Sequence, residues 1–265
     1  MASRERETEQ LKESLDMLKR EVDTLRVAVT KDHAPWYKQV PIIVSVIALL
    51  FSFGTTYVAY KKAEIEDIRN SRTELRGLLQ RLSELPIENV DYGATYAQDP
   101  TRKQIVAGIL TQENSILSQQ AAEIALSLPP GYISAAEHYA LAVGLSNSYD
   151  LDTALVFFSN AANMSNNLNI AGASLRGAAN LLFAHNNIQA GRERYRDALE
   201  LSEKLASKTD YEKAYNRILT LTAWSISEAS TGNTKKAAKL LDEAETLLMS
   251  NDPSMTGLRA EYGPQ

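Results

Sequence analysis

The chain has 265 residues, 28 Lys+Arg against 33 Asp+Glu, a formal net charge of -5 and no cysteine. The missing cysteine excludes disulfides, thiolate metal sites, a thiol nucleophile and a lipidated-cysteine anchor. After residue 90 there are 14 basic against 19 acidic side chains, so nucleic acid is not an expected ligand for that part.

At the N-terminus Leu11, Leu15, Leu18, Val22, Leu25 and Val29 recur at alternating spacings of four and three. This is the seam of a coiled-coil helix. Residues 1–38 hold eight basic and eight acidic side chains, a neutrality that suits self-pairing. A coiled-coil helix is therefore predicted over 1–34, with a lone amphipathic helix on a membrane surface as the competing reading. Pro35 and Pro41 each lack the N–H that continues a helical ladder, which predicts a hinge before the next segment.

From Val40 to Tyr60 the chain is apolar and free of charge, bounded by Lys38 and by Lys61-Lys62. At about 1.5 Å per residue it reaches roughly 30 Å, the thickness of a bilayer's hydrocarbon core. Trp36 and Tyr37 stand at one end, Tyr57 and Tyr60 at the other, as aromatic rings do at water–lipid boundaries. Residues 35–60 thus read as an interfacial segment and one transmembrane helix, with lipid as a partner. The long charged lead-in is unlike a signal peptide. Ser45, Ala48, Ser52, Thr55 and Ala59 put small residues on one face of the span, a possible seam for a neighbouring helix.

Nothing breaks the helix between Pro41 and Pro86, so a juxtamembrane extension is predicted over 61–86. Ile65, Ile68, Leu75, Leu79 and Leu82 form a second heptad-like stripe there, with Arg72 in one core slot. The second coil is expected to share in self-association. Residues 87–99 lack periodicity and read as a linker. Asp99-Pro100 is a helix start, Pro129-Pro130-Gly131 a stop, and Ser134 to Glu137 a capping box. Helices are predicted to follow over 134–147, 151–165, 169–185, 188–206, 211–230 and 234–249. No alternating strand pattern interrupts them. The fold class is all-α, with a helical domain over 100–250 and a flexible tail over 251–265.

Three stretches of that domain superpose. Asp150-Leu-Asp-Thr-Ala154, Asn187-Ile-Gln-Ala-Gly191 and Asn233-Thr-Lys-Lys-Ala237 each open the second helix of a hairpin. A large residue and then an alanine follow: Phe158 and Ala161, Tyr195 and Ala198, Leu241 and Ala244. The pattern resembles the tetratricopeptide repeat over roughly residues 132 to 250. It departs from that family in spacing, in placing Glu228 at an apolar slot, and in lacking the closing prolines. An unrelated helical bundle is the alternative. The whole layout also looks like bacterial proteins that join a short coil, one span and such repeats, which implies a bacterial inner membrane.

No catalytic, cofactor or metal site is recognisable. His33, His138 and His185 lie far apart, and Glu137-His138 lacks the second histidine of a zincin helix. Arg192, Arg194 and Arg196 read as a solvated helix face. Binding is the better expectation. The resemblance implies a concave groove lined by the first helices of the hairpins, and peptide-gripping members of the family hold a peptide carboxylate and backbone with a basic residue and an asparagine. Arg176 and Asn180 match that pair, and Tyr139, Val143 and Phe183 are expected to share the groove.

The expected function is a non-enzymatic, self-associating scaffold, a homo-oligomer anchored in the membrane, that captures a protein or peptide. A structural oligomer whose repeats pack on themselves, or an accessory subunit of a membrane enzyme, transporter or signalling complex, are the alternatives. Arg26, Lys31 and Lys38 on one flank of the span against Lys61, Lys62, Arg69 and Arg72 on the other do not orient it. A cytoplasmic repeat domain, the side slightly favoured, requires export of the charged N-terminal coil.

Overall fold

A computed structural model describes residues 2–30, 40–148, 150–204 and 209–250. Those residues form nine helices and no strand. The chain divides into two units between Asp67 and Ile68. The hinge expected around Pro35 and the tail expected over 251–265 lie outside the described residues.

The first unit holds α1 (Ala2–Thr30) and the first part of α2 (Val40–Thr95). Pro41 falls in the first turn of α2, where its missing N–H has no intrahelical bond to lose. On α1, Leu15 is 60% exposed and Val22 47%. The side chains of Leu11 and Val29 lie outside the described set. Among the described residues one helix is long and apolar enough to cross a membrane, the stretch of α2 from Val44, and none of its most apolar window is buried within the protein. Ser45, Ala48 and Ser52 are exposed on it.

The second unit holds the rest of α2 with α3 (Pro100–Ser127), α4 (Ala135–Asn147), α5 (Leu151–Met164), α6 (Leu168–Ala184), α7 (Ile188–Lys204), α8 (Asp210–Ser230) and α9 (Thr234–Leu248). Local signals place the helix starts. The Asp99 side chain accepts from Arg102 N at 3.0 Å with Pro100 following, and Ser134 and Glu137 exchange the two bonds of a capping box. Thr209 and Glu212 do the same for α8.

The stripe expected as a second coil is part of this core. Leu75 is fully buried, Leu82 and Leu85 nearly so, and Ile68 and Leu79 pack against the same cluster, which includes Leu110, Leu141, Leu145 and Phe157. These leucines have found partners within their own chain, so the face is not available to a second copy; only Ile65 stays exposed. Arg72 sits in its slot by pairing with Glu137 of α4, Nη2 to Oε1 at 3.1 Å.

The linker expected over 87–99 is helical as far as Thr95, since α2 continues through Pro86. Proline costs the helix one donor and clashes with the preceding turn. Arg81 bridges the gap: its guanidinium donates to both oxygens of Glu88 beyond the proline, and its Nε to Glu113 Oε1 of α3 at 2.7 Å. Three such bonds offset a local defect that composition alone reads as a break.

The remaining helices pack most closely as consecutive pairs, α4 with α5, α6 with α7 and α8 with α9; α6 also packs on α5 and α4, and α8 on α6 and α7. Phe158, Ala161, Tyr195 and Ala198 are buried where the superposed stretches require it. Leu241 is not; it is 43% exposed and Leu240 enters the core instead. Helix α9 is the last described helix, so no described pair follows to cover its outer side.

Candidate binding face

Of the groove candidates, Arg176, Asn180 and Phe183 lie on α6 and Tyr139 and Val143 on α4, while α8 supplies the partners of Arg176. The Arg176 guanidinium donates from Nη1 to Asn216 Oδ1 and to Thr220 Oγ1, the latter at 3.3 Å. Asn216 is almost wholly buried and is fixed by its own bond from Nδ2 to Leu168 O at 3.0 Å. It can sit there because Gly172 has no side chain: a Cβ at that position would lie 2.4 Å from the Asn216 amide. Thr220 is held in turn by donating to Asn216 O at 2.7 Å.

Both of these Arg176 hydrogen bonds are thus to neutral acceptors. Burial lowers the pKa of the guanidinium, and the titratable groups that act on it are Tyr139, Tyr195 and Tyr215. No carboxylate among the described residues pairs with it. A half-buried guanidinium remains charged, and burying a charge without a counter-ion is costly. The geometry can accept an anionic group on the N–H donors that Asn216 and Thr220 leave over.

Asn180 lies one turn further along α6 and is exposed, with Oδ1 accepting from Tyr195 Oη and from Ser227 Oγ, the latter at 3.2 Å. It lines a cleft of about 260 Å³ between α6 and α8 together with Phe183, Ile226 and Ser227. Ile226 is 66% exposed there. Phe183, expected to share the groove, lines this cleft and is at the same time mostly buried, against the Tyr195 ring at 5.9 Å and close to Gly191. Tyr139 is half-buried on Phe158, ring centroids 6.1 Å apart, and Val143 is exposed one turn away on α4.

A second polar centre escaped the sequence reading. Glu228, fully buried at its apolar slot, accepts from Arg192, Lys236, Trp224 and Asn233. The bond from Arg192, foremost, holds its carboxyl down at about 2. Arg192 is therefore not part of a solvated face, unlike exposed Arg194 and Arg196. The available signal was polar residues at core spacing on α8: Asn216, Thr220, Ser227 and Glu228 occur where a buried stripe is due. Such residues are retained when each finds a partner.

His138 is buried against Phe157, ring centroids 5.4 Å apart. Burial lowers its pKa, opposed by the charge of Glu137. His185 is exposed at the end of α6, and His33 lies outside the described residues. Among the described residues no three metal-ligating side chains gather.

No protein-family model, no curated protein and no solved structure matches this chain. The fold itself defines a class: among the described residues the protein is all-helical, with one helix long and apolar enough to cross a membrane.

Proposed function

We propose that this protein is a membrane-anchored helical-repeat receptor, fixed in the bilayer by the apolar stretch of α2 and binding an acidic or C-terminal carboxylate group of a protein partner on the face of α6 and α8. The observation that carries the reading is Arg176, a half-buried cation with neutral partners and no carboxylate, beside a small cleft with an exposed apolar wall. The three helix pairs support a tetratricopeptide-like arrangement, in which first helices line a binding surface. A bacterial inner membrane is the setting that the layout suggests.

The test uses full-length protein in lipid vesicles and an array of peptides that end either in a free carboxylate or in an amide. Binding is expected for a subset of free-carboxylate peptides, at least about tenfold weaker for the amides and for Arg176→Gln. Peptides that bind equally well in both forms, with Arg176→Gln unchanged, would discard the receptor site.

A further inference from the structure

We propose that α1 joins α1 of a second copy of this chain as a parallel, in-register, two-stranded coil. The proposal rests on the membrane-anchored reading above and gives a geometry to the self-association expected from the sequence. Helix α1 runs Ala2–Thr30, and among the described residues its seam is left open: Leu15 is 60% exposed and Val22 47%, with Leu18 and Leu25 only partly covered. An apolar stripe on a helix that the described residues of its own chain leave unburied calls for another apolar surface to cover it.

The register names the partner. The four-three spacing makes Leu11, Leu18 and Leu25 the d positions, and Leu15, Val22 and Val29 the a positions. Leucine throughout d with β-branched residues at two of the three a positions favours two strands over three or four. Flanking charge then sets direction. The three e positions that follow the d leucines are basic (Lys12, Lys19, Arg26), and the g positions five residues before them are Glu7, Ser14 and Glu21; Ala28, the last g position, is uncharged.

In a parallel pair each g residue meets the e residue of the next heptad across the seam, which matches Glu7 with Lys12 and Glu21 with Arg26, each twice by symmetry. An antiparallel pair sets e against e and g against g, bringing like charges together. Anchoring adds an independent reason: two copies inserted in one bilayer with the same topology carry their N-terminal helices on the same side, running toward the membrane alike. A coil this short is marginal as a free peptide. Holding both copies in one membrane raises their effective concentration, so the full chain is the object to test.

The chain has no cysteine, so single-cysteine variants report without background. Full-length Leu18→Cys, Val22→Cys and Arg20→Cys in lipid vesicles are oxidised mildly. Disulfide-linked dimer is expected at both seam positions, and at least about fivefold less at Arg20, which lies opposite the seam. Glu21→Arg is expected to weaken association roughly tenfold, and Glu21→Arg with Arg26→Glu to restore it. Light scattering on the solubilised protein should give two chains.

Equal cross-linking at all three positions, cross-linking at Val22 without Leu18, a mass of three or more chains, or a Glu21→Arg variant that associates normally would overturn the coil. Resistance to alkaline extraction, measured on the same vesicles, separates the two readings. Protein that stays in the membrane but does not cross-link at the seam refutes the coil alone, whereas protein that cross-links as expected but washes off refutes the anchor alone.

Discussion

Glu228 and Arg192 face each other as a two-pronged ion pair, Nε to Oε1 and Nη2 to Oε2 both at 2.7 Å, joining α7 to α8. The carboxylate is fully buried and also takes Lys236 Nζ at 2.8 Å, Trp224 Nε1 at 2.9 Å and Asn233 Nδ2 at 2.9 Å. Five donors from four side chains converge on one charge, so these two helix pairs share a single electrostatic centre.

That centre has a pH signature. In the folded chain the carboxyl titrates at about 2, against an ordinary value of 4.5 in the unfolded chain. A lowered folded pKa means that its stabilisation is fully present above pH 4.5 and fades as the pH falls toward 2. Trp224 emission, followed in a Trp36→Phe background through an acid titration, should report loosening of α8 over that window. Glu228→Gln should remove this acid dependence and cost about 2–3 kcal/mol, because Arg192 and Lys236 lose their counter-charge. An acid unfolding curve for Glu228→Gln parallel to that of the parent would show that the carboxylate is not the titrating group.

Two glycines of the same residue type should respond in opposite directions. A Cβ at Gly177 would meet the Phe158 ring at 2.5 Å, so Gly177→Ala should destabilise by about 1–3 kcal/mol as α5 and α6 are pushed apart. At Gly77 nothing lies within 4 Å, and Gly77→Ala should stabilise by about 0.5–1 kcal/mol through helix propensity alone. Urea unfolding of both variants measures the difference, and the same sign for both would contradict the packing.

Arg81 spans the turn that Pro86 interrupts, tying Glu88 on one side and Glu113 of α3 on the other. These bonds raise the pKa of the guanidinium and lower that of Glu88. Arg81→Met should leave the helix before the proline intact and raise amide exchange over 87–95. Hydrogen exchange resolved by peptide checks this; protection of 87–95 equal to that of the parent would mean that the segment is held by something else.

Leu50 and Phe51 are 65% and 74% exposed in the middle of the apolar stretch of α2. If lipid covers them, Leu50→Arg should raise the insertion free energy by about 2.5–3.5 kcal/mol and shift protein from the membrane to the soluble or aggregated fraction. Fractionation with alkaline extraction reads this out, and unchanged retention of the variant would count against a span at that place.

What the sequence determined by itself is the local layer of this protein. The apolar stretch, the capping box at Ser134, the Asp99-Pro100 start and the periodic helices from 134 onward are legible because each depends on residues within a few positions of one another. Arg176 and Asn180 were legible as candidates, although only the fold shows that Asn216 and Thr220 hold the arginine.

Tertiary structure decided the rest, wherever a side chain's meaning depends on a distant partner. The stripe through Leu75 and Leu82 has the same spacing whether it meets a second copy or α3 and α4, and only packing shows that it belongs to the core. Pro86 reads as a break until Arg81 is seen to cross it. Glu228 looks misplaced at an apolar slot until Arg192, 36 residues away, supplies the counter-charge. Periodicity states which face of a helix is apolar or charged, and burial against particular neighbours states what that face is for.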